Sequence, residues 1–299
     1  MNSPPSHVSS AVQAAPGDPV AVRRWFGRPR PVAEPALRLV CFPHVGAGGA
    51  AFNAWAELLP TDVELCAVRF PGRENRLREP LLDEPGEAVE AALSALRPLL
   101  DRPFVLLGHC SGSVLAYECA RRLHLAGGPA PALVVVSSAE GPAVRRITDP
   151  LHLLDRRELM ERVVAYGGTA PQVLADPDLM AIAERVLRAD YRVVERLEYS
   201  PGPPIAAPLA VIGGRQDRFV AQSALAAWAA ETTAACSVHL LDAPHYLLRE
   251  AGPVVAELVA EVLAGLRGPG PMGLTGMTEL TAGTTDAPAD GPPDGEATR

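Results

Sequence analysis

The chain contains no lysine; all 27 of its basic residues are arginine. That absence excludes a Schiff-base lysine, a serine–lysine dyad and the lysine of a phosphate-binding loop. Basic blocks are also missing, and 35 acidic residues leave a net charge of −8, which argues against nucleic acid as a partner. No apolar run approaches the roughly 20 residues of a membrane span, so no membrane association is expected. The N-terminus, MNSPPSHVSS, has neither a basic start nor an apolar stretch, so no signal peptide is expected. The five cysteines, Cys41, Cys66, Cys110, Cys119 and Cys236, are scattered, odd in number and without a C-x-x-C pair. Neither a disulfide framework nor a metal site follows from them, and a reducing cytoplasm is the expected location.

What is present is apolar: 48% of the 299 residues are hydrophobic, enough for a sizeable core. Residues 1–22, rich in Pro, Ser and Ala, and the Gly-, Pro- and Thr-rich tail 268–299 read as disordered. A single folded unit is therefore expected over 23–267, with no internal repeat. Within it, short apolar runs at 36–42, 63–70, 104–109, 132–139, 208–214 and 237–243 read as strands. Helical spacing marks 51–60, 84–100, 113–127 and 253–266. Strands without polar alternation predict a mostly parallel sheet covered on both faces, the α/β class. The interval 143–205 is helical instead, an insertion placed to form a lid over a site at the strand ends.

The chemistry concentrates in LLGHCSGSVLAY, residues 106–117. A strand, a sharp turn and a helix are predicted there, and Gly108-His109-Cys110-Ser111-Gly112 has the spacing of the α/β-hydrolase nucleophile turn, G-x-S-x-G. The third position projects toward substrate and carries Cys110. The fourth offers its backbone N–H to a developing oxyanion, so Ser111 is read as a donor. The competing reading of Cys110 is a buried structural thiol.

A thiol nucleophile needs a base and a group to orient it, and in this fold they follow in the order acid, then histidine. His124 lies in the helix after the turn, His152 in the lid and His239 within a strand. His245, in LLDAPHYLL, sits in the loop after the last strand and is the predicted base. Asp217, in VIGGRQDRF, follows the preceding strand and is the predicted orienting acid; Asp242 competes for that role, only three residues from the histidine. The glycine-rich CFPHVGAGG after the first long strand should supply the second oxyanion donor, Val45 or Gly46. His44 in that loop is read as structural.

The segments WFGRPRP, LVCFPHVGAGG, FNAW, AVRFPGRENRLREP, GHCSGSVLAYECARRL, YGGTAPQVLADPDL, LRADYRVVE, GGRQDRFV and APHYLL run in the order found in type II thioesterases, which the folded unit resembles over about 25–265. Those are discrete partner enzymes of polyketide synthases and nonribosomal peptide synthetases. The resemblance implies an α/β-hydrolase with a helical lid and no cofactor of its own. Its substrate would be an acyl or aminoacyl group on the phosphopantetheine of an acyl or peptidyl carrier protein, released by hydrolysis. It places the nucleophile on Cys110, the acid on Asp217, the base on His245 and the oxyanion donors on Val45 and Ser111. No nucleic-acid or membrane partner is implied, and a monomer is the default expectation.

The departure is the nucleophile, since the family normally shows G-H-S-M-G. A cysteine acyl-enzyme is itself a thioester, so loading is nearly thermoneutral and the group stays activated toward a second thiol or an amine. Hydrolysis has the family behind it and transfer has the residue; both stay open. Two lesser readings are a carrier-binding module without catalysis and a cysteine hydrolase of small free esters. Carrier recognition is expected from the lid, where Arg156, Arg157, Arg185 and Arg188 either meet an acidic partner or solvate helix faces. Tyr166 and Met160 either line the pocket or pack the lid.

Overall fold

The computed structural model describes residues 19–167, 173 and 175–268. The segments 1–18 and 269–299, where disorder is predicted, lie outside the described residues. So does most of 168–174, within the insertion.

In chain order the elements are α1 (Pro19–Trp25), β1 (Phe26–Gly27), β2 (Leu37–Phe42), β3 (Val63–Val68), α2 (Pro85–Leu96), β4 (Phe104–His109), α3 (Ser111–Leu125) and β5 (Leu133–Ser137). There follow α4 (Arg156–Tyr166), α5 (Pro177–Arg196), β6 (Leu209–Gly214), α6 (Gln222–Ala226), β7 (Cys236–Leu241) and α7 (Leu248–Arg267). The seven strands form one sheet in the order β1-β3-β2-β4-β5-β6-β7, parallel except for β1. From β2 the chain steps outward to β3, then returns to place β4 on the other side of β2. That reversal opens a crevice at the carboxyl ends of β2 and β4, where open α/β sheets bind ligands.

Each central strand is buried along its length because it serves two cores. In β4, Phe104 and Leu106 face the layer holding α2 and α3, whereas Val105 and Leu107 face the layer holding α7. The same alternation runs through β2, β5 and β6. Two-sided burial of Val and Leu, each side chain contributing roughly 1.5–3 kcal/mol, is what the unalternating apolar runs encode.

Differences from the sequence expectation have local causes. Helix α1 begins at Pro19, inside a segment read as disordered, because Val22 and Trp25 pack on the core. The helix expected at 51–60 is a 3-10 helix at Gly49–Glu57. The one expected at 84–100 stops at Leu96 and continues as a 3-10 turn through Pro98, whose ring carries no N–H for the helical ladder. The last helix starts five residues before the expected position and runs through Pro253.

The insertion between β5 and β6 carries α4 and α5, as its periodicity predicts. It has a small core of its own in Leu151, Leu159, Met160, Val163 and Leu187.

Candidate active site

The turn after β4 puts Cys110 in a left-handed conformation, φ 51° and ψ −119°, between the end of the strand and the first residue of α3. Such backbone strain costs on the order of 1–3 kcal/mol and persists only where packing imposes it. Packing here explains the flanking glycines. A Cβ on Gly108 would lie 2.2 Å from the backbone of Gly112, and one on Gly112 would lie 2.2 Å from the carbonyl oxygen of Phe42. Only glycine lets the helix approach both its own strand and the end of β2. The Cys110 N–H donates to the Ser137 carbonyl at 2.7 Å, and Ser113 Oγ bonds the carbonyls of Gly108 and Ser137 at 2.8 and 3.0 Å. Ser111 opens α3, where the first N–H groups lack partners in the helical ladder and favour negative charge.

His245 reaches this turn from the loop after β7. Its Nε2 lies 3.3 Å from Cys110 Sγ and its Nδ1 lies 2.8 Å from Asp217 Oδ2. The other oxygen of Asp217 accepts from the Phe219 and Val220 N–H groups at 2.8 and 3.1 Å. The two loops are bound together: Arg215 N–H donates to the Leu241 carbonyl and Gln216 N–H to that of Ala243. Gly214 permits this, since a Cβ there would lie 2.3 Å from the Ala243 oxygen. Cys110, more than a hundred residues before the other two in the chain, thus stands in one line with His245 and Asp217.

Burial alone would strip the proton from His245. Its hydrogen bonds to Asp217 and Cys110, and their charges, outweigh that and hold the imidazole up at about 10. Burial likewise opposes the charged Asp217, but bonding to His245 and two backbone N–H groups keeps its carboxyl below the usual range. Asp242, the competing acid, is exposed and pairs with Arg215 at 3.3 Å. His152 is bonded to Glu195 at 2.5 Å in the lid. His239 meets Ser237 at 3.1 Å, and neither belongs to the line.

The line opens into a cavity of about 640 Å³ between sheet and lid, bounded among others by Val45, Gly46, Ser111, Tyr166, Leu187 and Tyr191. Val45 and Ser111 are therefore brought to the same cavity as Cys110. The Gly46 N–H is already engaged, donating to Asp190 Oδ2 at 2.8 Å, which leaves Val45 as the candidate donor of that loop. His44 lies with His109 and Tyr246 in an edge-on aromatic group behind His245. Burial, aided by the nearby His245 charge, lowers His44 to about 4, so it stays neutral, consistent with a structural role.

Of the two lid residues singled out, Tyr166 lines the cavity and contacts both Phe219 and His245, with ring centroids at 4.1 and 5.1 Å. Met160 is buried in the lid core. Arg156 and Arg157 pair with Glu184 and Glu161. Arg188 is tied to Glu184 and to the carbonyls of His152 and Leu154. Arg185 is exposed and has no ion pair among the described residues.

Sequence reasoning missed Ser138, whose φ of 50° aims its Oγ at the His245 carbonyl, 2.9 Å away. It also missed Arg145, a cavity residue bonded to the Val194 carbonyl at 2.6 Å and without an ion pair among the described residues. No motif marks either one. Among the described residues no cluster suits a metal ion, and no helix is long and apolar enough to cross a membrane.

Comparison with known proteins agrees with this architecture. The family model described as "Thioesterase domain" matches residues 37–263. The gramicidin S biosynthesis protein GrsT of Aneurinibacillus migulanus is 31% identical over 242 residues, covering 81% of this chain and 94% of its own length. Among solved structures, the type II thioesterase BorB from the borrelidin biosynthetic cluster is 31% identical, with a TM-score of 0.73 over 80% of this chain and 97% of that one. RedJ, a thioesterase of the prodiginine pathway in Streptomyces coelicolor, is 33% identical with a TM-score of 0.69 over 79% and 96%. The fold is that of the α/β-hydrolase thioesterases, and the chain belongs to the thioesterase family, among its type II thioesterases of polyketide and nonribosomal peptide biosynthesis.

Proposed function

We propose that Cys110 is the nucleophile of this thioesterase, with His245 as its base and Asp217 as the group that orients the base. The observation that carries the reading is the continuous line from Sγ through the imidazole to a buried carboxylate, at 3.3 and 2.8 Å. The substrate is an acyl or aminoacyl group held as a thioester on the phosphopantetheine arm of a carrier protein. With the His245 imidazole protonated, the Cys110 sulfur attacks the thioester carbonyl and the Val45 and Ser111 N–H groups receive the oxyanion. Collapse breaks the carbonyl–sulfur bond to the arm, and the His245 proton leaves on its thiol. Water, deprotonated by His245, then attacks the acyl-cysteine, releasing the carboxylic acid and free Cys110.

The residue itself supports a second fate. Acyl-Cys110 is a thioester of the same energy class as the substrate, so a second carrier thiol or an amine is a competent acceptor. A binding module without chemistry is disfavoured, because all three groups are of competent type and within bonding reach.

Incubation with an acylated carrier protein tests the proposal. A covalent acyl adduct on Cys110 in mass spectrometry, absent from Cys110→Ala, is expected. Turnover by Cys110→Ala at the wild-type rate would refute it. Adding a second, unloaded carrier separates the fates: free acid marks hydrolysis, label on the second carrier marks transfer.

A further inference from the structure

The segments AVRFPGRENRLREP and LRADYRVVE take no part in the line of Cys110, His245 and Asp217, yet they converge on the loop that carries Val45. His44–Ala47 form a tight turn, with the Ala47 N–H donating to the His44 carbonyl at 3.1 Å and Gly46 at φ +80°, the pattern of a type II turn. Its two outward groups are both held. Asp190 Oδ2, on lid helix α5, accepts the Gly46 N–H at 2.8 Å. Arg73 Nη1 donates to the Ala47 carbonyl at 3.0 Å. The two holders grip each other, with Arg73 Nη1 and Nη2 donating to Asp190 Oδ2 and Oδ1 at 2.7 and 2.6 Å. Arg73 is 7% exposed, so this bidentate pair is shielded from water and geometrically strict.

Two further contacts brace the same loop. Leu187, three residues before Asp190 on α5, would lie 2.7 Å from a Cβ on Gly46. Glu74, the neighbour of Arg73, accepts the Ala50 N–H at 2.9 Å.

We infer that Asp190, with Arg73, is a positioning residue that makes the lid helix part of the oxyanion hole. Its bond consumes the Gly46 N–H and fixes the peptide next to Val45, so the Val45 N–H holds its aim only while α5 sits on the loop. An oxyanion donor is worth about 10²–10³ in rate and tolerates little displacement. Lid closure and transition-state stabilisation are thereby one event. The inference rests on Val45 being an oxyanion donor in the reaction proposed above.

The test separates attack at a carbonyl from attack at a saturated carbon. Alkylation of Cys110 by iodoacetamide needs the thiol and His245 but develops no oxyanion. In Asp190→Ala, kcat for an acyl-pantetheine thioester should fall about 30- to 100-fold, with KM and the alkylation rate of Cys110 little changed. Asp190→Asn, which keeps an acceptor for Gly46 but loses one Arg73 bond, should fall in between, and it is the variant read if Asp190→Ala does not fold. Equal loss of turnover and alkylation, a rise in KM alone, or no effect would each overturn the inference. Cys110→Ala run in parallel reports on the nucleophile separately: turnover there refutes the proposed reaction, whatever the Asp190 variants do.

Discussion

Replacing Gly112 by alanine tests whether the approach of α3 to β2 builds the site. The added Cβ would lie 2.2 and 2.7 Å from the carbonyl oxygens of Phe42 and Pro43. Those atoms are backbone and cannot rotate away. Relief therefore requires the turn and the end of β2 to separate until 2.2 Å becomes more than 3.0 Å, a distance below which real Cβ contacts are essentially never found. That displacement moves Cys110 and Ser111 relative to the loop bearing Val45. A misplacement approaching 1 Å costs about 10²-fold in rate. Overpacking of this kind costs about 1–3 kcal/mol, or roughly 2–10 °C in Tm at this size. The assay is kcat/KM for an acyl-pantetheine thioester, by chromatography of the freed acid, beside a thermal melt. Gly86→Ala is the control. It sits in the first turn of α2 with nothing within 4 Å of its added Cβ, so it should keep full activity and gain about 0.4–1 kcal/mol. Wild-type kcat/KM and Tm in Gly112→Ala would refute the packing argument.

Three other outcomes are expected. Cys110→Ala should abolish both turnover and iodoacetamide labelling at that peptide, whereas Ser111→Ala, which keeps its backbone N–H, should retain substantial activity; the reverse result would move the nucleophile by one residue. Cys110→Ser should shift the product ratio toward free acid when two carriers compete, because an oxyester resists thiol attack; an unchanged ratio counts against transfer. His245 is raised from its ordinary 6.5 to about 10, so its stabilisation of the fold is complete below pH 6.5 and lost as pH climbs through 10. Urea unfolding of wild type against His245→Gln should show that difference shrinking from pH 6 to pH 10. Its upper limit is about 5 kcal/mol, at 1.36 kcal/mol per unit, and a difference that grows with pH would contradict the assignment.

Much of the candidate site was legible because its residues sit on local turns. Cys110 needs a strained strand-to-helix corner, and small residues at Gly108 and Gly112 announce it. His245 needed only the order of elements, since it follows the last predicted strand of a parallel sheet. The choice between Asp217 and Asp242 was not local. Both lie near the histidine in the chain or in the fold, and only the pairing of β6 with β7 turns one inward and leaves the other on the surface with Arg215. Helix α1 was missed for a similar reason, as most of it lies in the Pro-, Ser- and Ala-rich segment 1–22, but Val22 and Trp25 find a core to cover.

The sequence by itself determined the alternation of strands and helices, the helical insertion, the strand-to-helix corner at Cys110 and the family. These depend on hydrophobic period and on backbone conformations that only certain residues adopt. Tertiary structure decided that Asp190 takes the Gly46 N–H and that Arg73 and Asp190 meet on Gly46 and Ala47. Contacts between residues more than a hundred positions apart leave no periodic or local trace, because they depend on the packing of whole elements.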